Sequence, residues 1–356
     1  MPTPKSNGAT RPAEFFERLG QVHNAACQAA GGRSAHFFNI AGRRVELAFA
    51  GTGLERQILP ALEHLRSPRQ EGSADLTVSL WDSVSTGQVM PAPPWRLEDC
   101  AERGEVRGFN NERFQTAYFL GSGVLNMLDR KRNEGLFWVR DGSSLAIWES
   151  GAPLLALLNW WFSDETRQLV HAAAIGYPEG GILLAGKGGS GKSTTALASL
   201  DTDLFYAGDD YCLLEVEPEL RVHSLYNSAK LNRDNLARFP GLGRLFDRPS
   251  ARIEEKALVF LRERAAAKLT AGFPLQGVFL PRVTGLTETT LEPISSARAM
   301  RALAPSSLFQ LCGAGKKSFR VMAGLIREVP CHQLNLGTDL NGVTTVIRNY
   351  LGTRNG

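Results

Sequence analysis

The chain is poor in cysteine: its five thiols, Cys27, Cys100, Cys212, Cys312 and Cys331, are odd in number and widely scattered. None of the short spacings that zinc sites use occurs, so neither a metal knuckle nor a disulfide framework is expected, and reduced thiols in a cytosolic protein are the simplest reading. Long hydrophobic runs are also missing. The longest candidate, 152–162, falls short of the ~20 residues a membrane helix needs, and residues 1–11 lack a secretory apolar segment. Nor is there a dominant charge. The formal net charge is +4 over 356 residues with no dense basic block, so nucleic acid is not an expected partner. A soluble, cytoplasmic protein is expected, with no membrane partner.

What is present describes an ordinary globular chain. Hydrophobic residues make up 43% and charged residues 21%, enough for a sizeable core. At ~100–200 residues per domain the length allows two domains, and no repeat period of the solenoid kind is evident. Residues 1–12 are polar and read as a disordered tail. Helical spacing follows over 13–30 and 54–65, a hairpin over 36–50 turning at Ala41-Gly42-Arg43, and a strand over 75–81. A Pro/Gly/Ser-rich loop covers 83–94, then strand-like runs cover 113–120, 124–129, 135–140 and 144–148. An apolar helix over 152–163 closes this part. Together these suggest an N-terminal α+β domain, 1–165, with Phe37, Phe38, Trp81, Trp138 and Trp148 in its core and His23, His36 and His64 as ordinary side chains. Its expected role is recognition or accessory.

The chemistry lies further on. A strand expected over 168–174 leads through a turn to Gly181-Ile182-Leu183-Leu184-Ala185, a second buried strand. This runs into Gly186-Lys187-Gly188-Gly189-Ser190-Gly191-Lys192-Ser193, which fits the phosphate-binding loop pattern completely. Glycines let successive backbone N–H groups converge on phosphate oxygens. Lys192 would reach the β- and γ-phosphates of ATP, and Ser193 would give its hydroxyl to Mg²⁺, a hard cation that takes oxygen ligands. Gly186, Gly188, Gly189, Ser190, Gly191, Lys192, Ser193 and Thr194 are therefore the candidate nucleotide-binding residues.

A second cluster stands about seventeen residues beyond Lys192, where the apolar run Leu204-Phe205-Tyr206-Ala207 ends in Gly208-Asp209-Asp210. Carboxylates at a strand tip beside a phosphate loop hold Mg²⁺ or orient a nucleophile in nucleoside-triphosphate enzymes. The expected division is Asp209 as base and Asp210 toward the metal. Lys230, in an expected polar turn before a short helix, and Arg282, ending a strand over 275–280, could each neutralise charge on a transferring phosphoryl group. Lys316 and Lys317 read as a solvated helix start.

The succession of His171, the loop and a strand ending Ala-Gly-Asp-Asp resembles the catalytic domain of HPr kinase/phosphorylase and its relatives, which share a phosphoenolpyruvate-carboxykinase-like nucleotide fold. The resemblance covers roughly 168–349. It implies an α/β C-terminal kinase domain (166–356) built on a phosphate-binding loop, with His171 lining the site and Asp209 and Asp210 as base and metal-side carboxylate. The family's signature segment after the aspartates is absent; Tyr226-Asn227-Ser228-Ala229-Lys230-Leu231 stands there. The looser group of HPr-kinase-related proteins is similar in its lysine after the aspartate strand and in a Leu-Pro-Arg, here Leu280-Pro281-Arg282. Some of that group look like tailoring kinases for ribosomal peptides such as lasso peptides.

The expected function is thus an ATP-dependent kinase acting on a serine-type hydroxyl of a protein or peptide. Alternatives are a small-molecule kinase, for example of free serine, and a regulatory ATPase. The family fold is often oligomeric, so a homo-oligomer is a possible partner state.

Overall fold

The computed structural model describes residues 10–69, 72–232 and 256–353. Most of the expected tail therefore lies outside the described residues, as does the short helix expected after Lys230. The chain divides into two compact units. One comprises Met1–Leu59, Arg66–Trp161 and Leu311–Gly313; the other comprises Pro60–Leu65, Phe162–Gln310 and Ala314–Gly356.

In the first unit, helix α1 (Thr10–Ala29) is followed by strands β1 (Arg33–Ile40) and β2 (Arg43–Ala50). Their antiparallel pairing turns at Ala41 and Gly42, both at positive φ (50° and 75°), as tight hairpins require. Helix α2 (Glu55–Leu62) and strands β3 (Arg66–Ser67) and β4 (Leu76–Asp82) come next, then α3 (Ser83–Thr86), β5 (Phe114–Phe119), β6 (Val124–Asp129) and β7 (Glu134–Val139). The sheet is mixed and seven-stranded, ordered β3-β1-β2-β4-β7-β6-β5. Phe15, Phe16 and Leu19 of α1 bury against Trp81, Leu136 and Trp138 of its strands. The strand expected over 144–148 is instead a 3-10 turn (Gly142–Ser144) and helix α4 (Ile147–Gly151). The Asp141 carboxylate there accepts from the Ser143 N–H at 2.9 Å, a local bond that competes with strand pairing. Trp148 lies on the surface, 52% exposed, while Phe38, Trp81 and Trp138 are buried. Helix α5 (Leu155–Phe162) follows.

The second unit is a mixed α/β fold. Its strands are β8 (Arg167–Val170), β9 (Ala172–Tyr177), β10 (Gly180–Ala185), β11 (Phe205–Gly208), β12 (Cys212–Glu215), β13 (Arg221–His223), β14 (Ser228–Asn232), β15 (Lys256–Phe260), β16 (Gly272–Val283), β17 (Thr290–Pro293) and β18 (Cys331–Leu336). Its helices are α6 (Lys192–Ala198), α7 (Arg262–Ala265), α8 (Ser296–Gln310), α9 (Lys316–Glu328) and α10 (Leu340–Gly352). Nine strands form one sheet, ordered β11-β9-β10-β16-β13-β12-β8, with β18 pairing β16 and β17 pairing β18. β14 and β15 form a separate ribbon.

Side-chain alternation divides the core in two. Ala172, Ala174, Leu183 and Ala185 face Leu303 of α8 and Met322 and Leu325 of α9, whereas Ala173, Ile175, Ile182 and Leu184 face Leu197 of α6 and Ile347 of α10. Period-two strands buried on both faces read as continuous apolar runs. This explains why β9 and β10 are so uniformly hydrophobic.

The strand expected over 168–174 is broken at His171. β8 pairs with β12 at the far edge of the sheet, whereas β9 pairs with β10 and β11. Two sets of neighbours cannot be served by one straight strand, and His171 is the residue at which the chain passes between them.

Candidate functional site

Strand directions gather the candidate residues at one end of the sheet. β16 runs parallel to both β10 and β18. β9 is antiparallel to β10 and to β11, so β10, β11, β16 and β18 share a direction. The C-terminal ends of like-directed strands in an open α/β sheet are where ligands bind. Here that end carries the glycine loop after Ala185 and the aspartates after Gly208. It also carries His171, because Ala172 at the start of β9 pairs with Ala185 at the end of β10.

The loop leaves β10 through Gly186 (φ 148°) and passes Gly189 (φ 77°) and Gly191 (φ 106°). A Cβ on Gly191 would fall 2.3 Å from Leu336 Cδ1 and 3.7 Å from Val283 Cγ2, so conformation and space both demand glycine there. Lys192 opens α6 and is buried. Its ammonium donates to the carbonyls of Gly186 at 2.7 Å and Lys187 at 3.4 Å. Burial draws its pKa down, while the charges of Asp209 and Asp210 draw it back up.

The aspartates occupy a three-residue turn in which the Tyr211 N–H donates to the Asp209 carbonyl at 2.8 Å, with Asp210 at its centre at φ 65°. That left-handed conformation is tolerated by aspartate better than by most side chains. The two carboxyls meet different surroundings. Asp209 is 1% exposed, and neither of its oxygens has a hydrogen-bond partner of normal geometry among the described residues. Burial first, and the Asp210 charge second, push its pKa up to about 6, against the pull of the neighbouring Ser193 hydroxyl. Asp210 is engaged twice: Lys230 Nζ lies 2.9 Å from Oδ2, and His171 Nε2 lies 3.7 Å from Oδ1. Burial opposes its ionisation most strongly, yet the combined pull of His171 and Lys230 prevails and holds its pKa well below the usual carboxylate range.

Lys230 does not lie in a polar turn. It is the middle residue of β14, opposite Leu258 of β15, and the Tyr206 hydroxyl of β11 donates to the neighbouring Ser228 carbonyl at 2.8 Å. Ribbon pairing thus aims the ammonium at Asp210, and the polarity of the segment reflects this site rather than solvent. Arg282 makes no ion pair or hydrogen bond with either aspartate among the described residues. It is exposed near the end of β16, and its Nε donates to Asn335 Oδ1 at 3.0 Å.

No family model matches the chain, and no curated protein does either. Among solved structures, the Hpr(Ser) kinase/phosphatase from Coxiella burnetii is similar at a TM-score of 0.30 and 12% identity, over 53% of this chain and 99% of that one. That is a distant structural relationship and no more.

Further residues complete the site. The Ser307 hydroxyl of α8 accepts the His171 backbone N–H at 3.0 Å. Tyr211 places its ring 5.5 Å from that of His171 and donates its hydroxyl to Gln310 at 3.2 Å. Tyr211 could have been suspected from its place beside the aspartate pair, whereas Ser307, 136 residues from its partner, gave no local signal. Ser190 Oγ and Thr195 Oγ1 are buried without partners among the described residues, as are the Asp209 oxygens. Such orphaned oxygens and hydroxyls form a hard donor set around a glycine cradle, which fits a triphosphate and a divalent cation. Ser193 with one of the aspartates would hold the cation.

Proposed function

We propose that this chain is an ATP-dependent kinase that transfers the γ-phosphoryl group to a serine-type hydroxyl of a protein or peptide. The observation that carries this reading is the meeting, at one end of the sheet, of a complete phosphate-loop sequence with a fully buried aspartate whose oxygens lack hydrogen-bond partners of normal geometry among the described residues. Lys192 would exchange its two loop carbonyls for phosphate oxygens, and the loop's backbone N–H groups would donate alongside it. Bound Mg²⁺ would neutralise charge on the β- and γ-phosphates.

In the transfer, the acceptor's O–H bond breaks and its proton passes to an aspartate carboxylate. The acceptor oxygen bonds to the γ-phosphorus, and the bond from that phosphorus to the bridging oxygen breaks, so ADP leaves with the electron pair. Because such transition states are loose, positioning and charge neutralisation contribute more than base strength. A macromolecular acceptor is supported by the first unit, which has its own sheet and core and displays Val84, Val89 and Leu97 at 65%, 73% and 68% exposure. Remote contacts of that kind position a flexible substrate.

The test supplies γ-labelled ATP with serine-containing peptides and, in parallel, free serine. Label on a peptide supports the reading. Label on free serine alone would make it a small-molecule kinase, and label released only to water would make it an ATPase.

A further inference from the structure

The ribbon of β14 and β15 carries a second lysine that the chemistry above leaves unused. Its register is unbroken, with Ser228 opposite Phe260, Lys230 opposite Leu258 and Asn232 opposite Lys256. Residues directly opposite in an antiparallel pair share a face, and so do alternate residues along each strand. One face therefore carries Ala229, Leu231 and Val259, buried in the same core as Leu197 of α6. The other carries Lys230 and Lys256 together, as diagonal neighbours roughly 7–8 Å apart at the backbone. Lys230 shows where that face looks, because its ammonium lies 2.9 Å from Asp210. Lys256 is exposed and forms no ion pair among the described residues. Its charge is nonetheless felt at the phosphate loop: burial is the chief influence lowering the Lys192 pKa, and Lys256 lowers it further. Two cations turned toward one space repel each other, and an anion received between them removes that cost.

We propose that Lys256 contacts the terminal phosphoryl group of ATP from the ribbon side and neutralises charge on its oxygens during transfer. This rests on the nucleotide site and the kinase reading above. The terminal group is singled out because Lys256 shares its face with Lys230, which marks the end of the site where the aspartates lie, whereas the loop's own N–H groups and Lys192 serve the phosphates behind it. In a loose transition state charge spreads over the outer oxygens of the group in flight, and a fixed ammonium beside them stabilises it. No bond to Lys256 forms or breaks, and its protons stay on nitrogen. Nothing in the local sequence announces this lysine: its place follows from the pairing of two strands whose paired ends, Asn232 and Lys256, are 24 residues apart in the chain.

The experiment compares MgATP with MgADP by titration calorimetry on the full chain and then measures steady-state transfer to a serine peptide. Because Lys256 is exposed, Lys256→Ala and Lys256→Arg are expected to melt as wild type does. Lys256→Ala should weaken MgATP binding by about 5–20-fold and leave MgADP within about twofold of wild type, since only the terminal group loses a partner. Its kcat should fall by about 10–100-fold, and Lys256→Arg should restore most of both losses. Wild-type ATP affinity in Lys256→Ala, or ATP and ADP weakened alike, overturns the assignment. So does a rise confined to the peptide KM, which would put Lys256 on the acceptor instead. A wild type that binds ATP but transfers to no peptide overturns the acceptor reading alone, and the contrast between ATP and ADP still decides the contact of Lys256. If wild type binds neither nucleotide, the nucleotide site falls, and this inference with it.

Discussion

Lys192 is a buried cation whose hydrogen bonds go to two carbonyls of its own loop, so phosphate oxygens have a donor already in place. Lys192→Ala is expected to weaken MgATP binding by about two orders of magnitude in titration calorimetry, in line with loss of several charge-assisted bonds. Lys230 makes a different kind of contribution. Lys230→Met leaves Asp210 without its nearest counter-charge in a mostly buried pair, and is expected to cost about 1–3 kcal/mol in denaturant titrations. The double variant Lys230→Met/Asp210→Asn should recover most of that loss, which separates a broken pair from a packing defect.

Two histidines outside the site set a pH dependence. Burial lowers the pKa of His23 to about 4 and that of His64 to about 3, from an ordinary 6.5. The folded state therefore resists protonation where the unfolded chain accepts it, so their stability contribution is present above pH 6.5 and is lost as pH falls toward 4 and 3. At pH 5 each accounts for about 2 kcal/mol of lost stability relative to pH 7. Denaturant titrations at the two pH values should show this fall, and His23→Gln and His64→Gln should each flatten it.

Among elements, the unit of strand, glycine loop and helix is the most exacting. At Gly191, φ is 106° and a Cβ would sit 2.3 Å from Leu336 at the end of β18. Gly191→Ala thus combines a left-handed strain with a clash, and should cost about 2–4 kcal/mol by chemical denaturation. Adding Leu336→Ala should return the steric part and leave the conformational part.

This unit was legible in the sequence because its determinants are local: an apolar run, glycines at set intervals, and a lysine and serine to open the helix. The aspartate-bearing strand and the hairpin at Ala41 were legible on the same grounds. The break at His171, the strand character of Lys230 and the helix at Ile147 were not. The first two depend on which distant strand pairs with which, β8 with β12 and β14 with β15. The third carries no local signal: its N-cap, Ala146, makes no side-chain bond, and the Asp141 bond caps only the 3-10 turn before it. Within the site, the loop and the aspartates could be named in advance, but their unequal depth could not. Depth follows from what α6 and the β14–β15 ribbon place around them.

At the scale of the molecule, Asn227 ties distant pieces of the second unit together. Its side-chain amide donates to the carbonyls of Pro60 at 2.8 Å and Ala61 at 2.9 Å, and its backbone N–H also donates to Ala61. These are carbonyls in the last turn of α2, which have no partner within their own helix. The Asn227 carbonyl accepts from Leu261 and its Oδ1 from Arg262, while His64 meets Ser224 at 2.7 Å. Asn227→Ala strands several of these groups and is expected to lower stability by about 2–3 kcal/mol. In hydrogen exchange, the amides of β14 and β15 should lose protection first.

The segment 60–65 belongs to the second unit although most of the residues before 162 belong to the first, and 311–313 do the reverse. For inheritance by recombination, this makes the boundary near 162 a false seam. A crossover placed there between two diverged relatives would give each half a borrowed insert selected against a different partner, mismatched at Asn227 in one half and around 311–313 in the other. Viable exchange of the second unit requires at least two further crossovers, flanking residues 60–65, or a recipient that already presents compatible carbonyls at positions 60 and 61. Recombinants of this chain should therefore survive in blocks that follow the spatial units rather than the linear order of the gene.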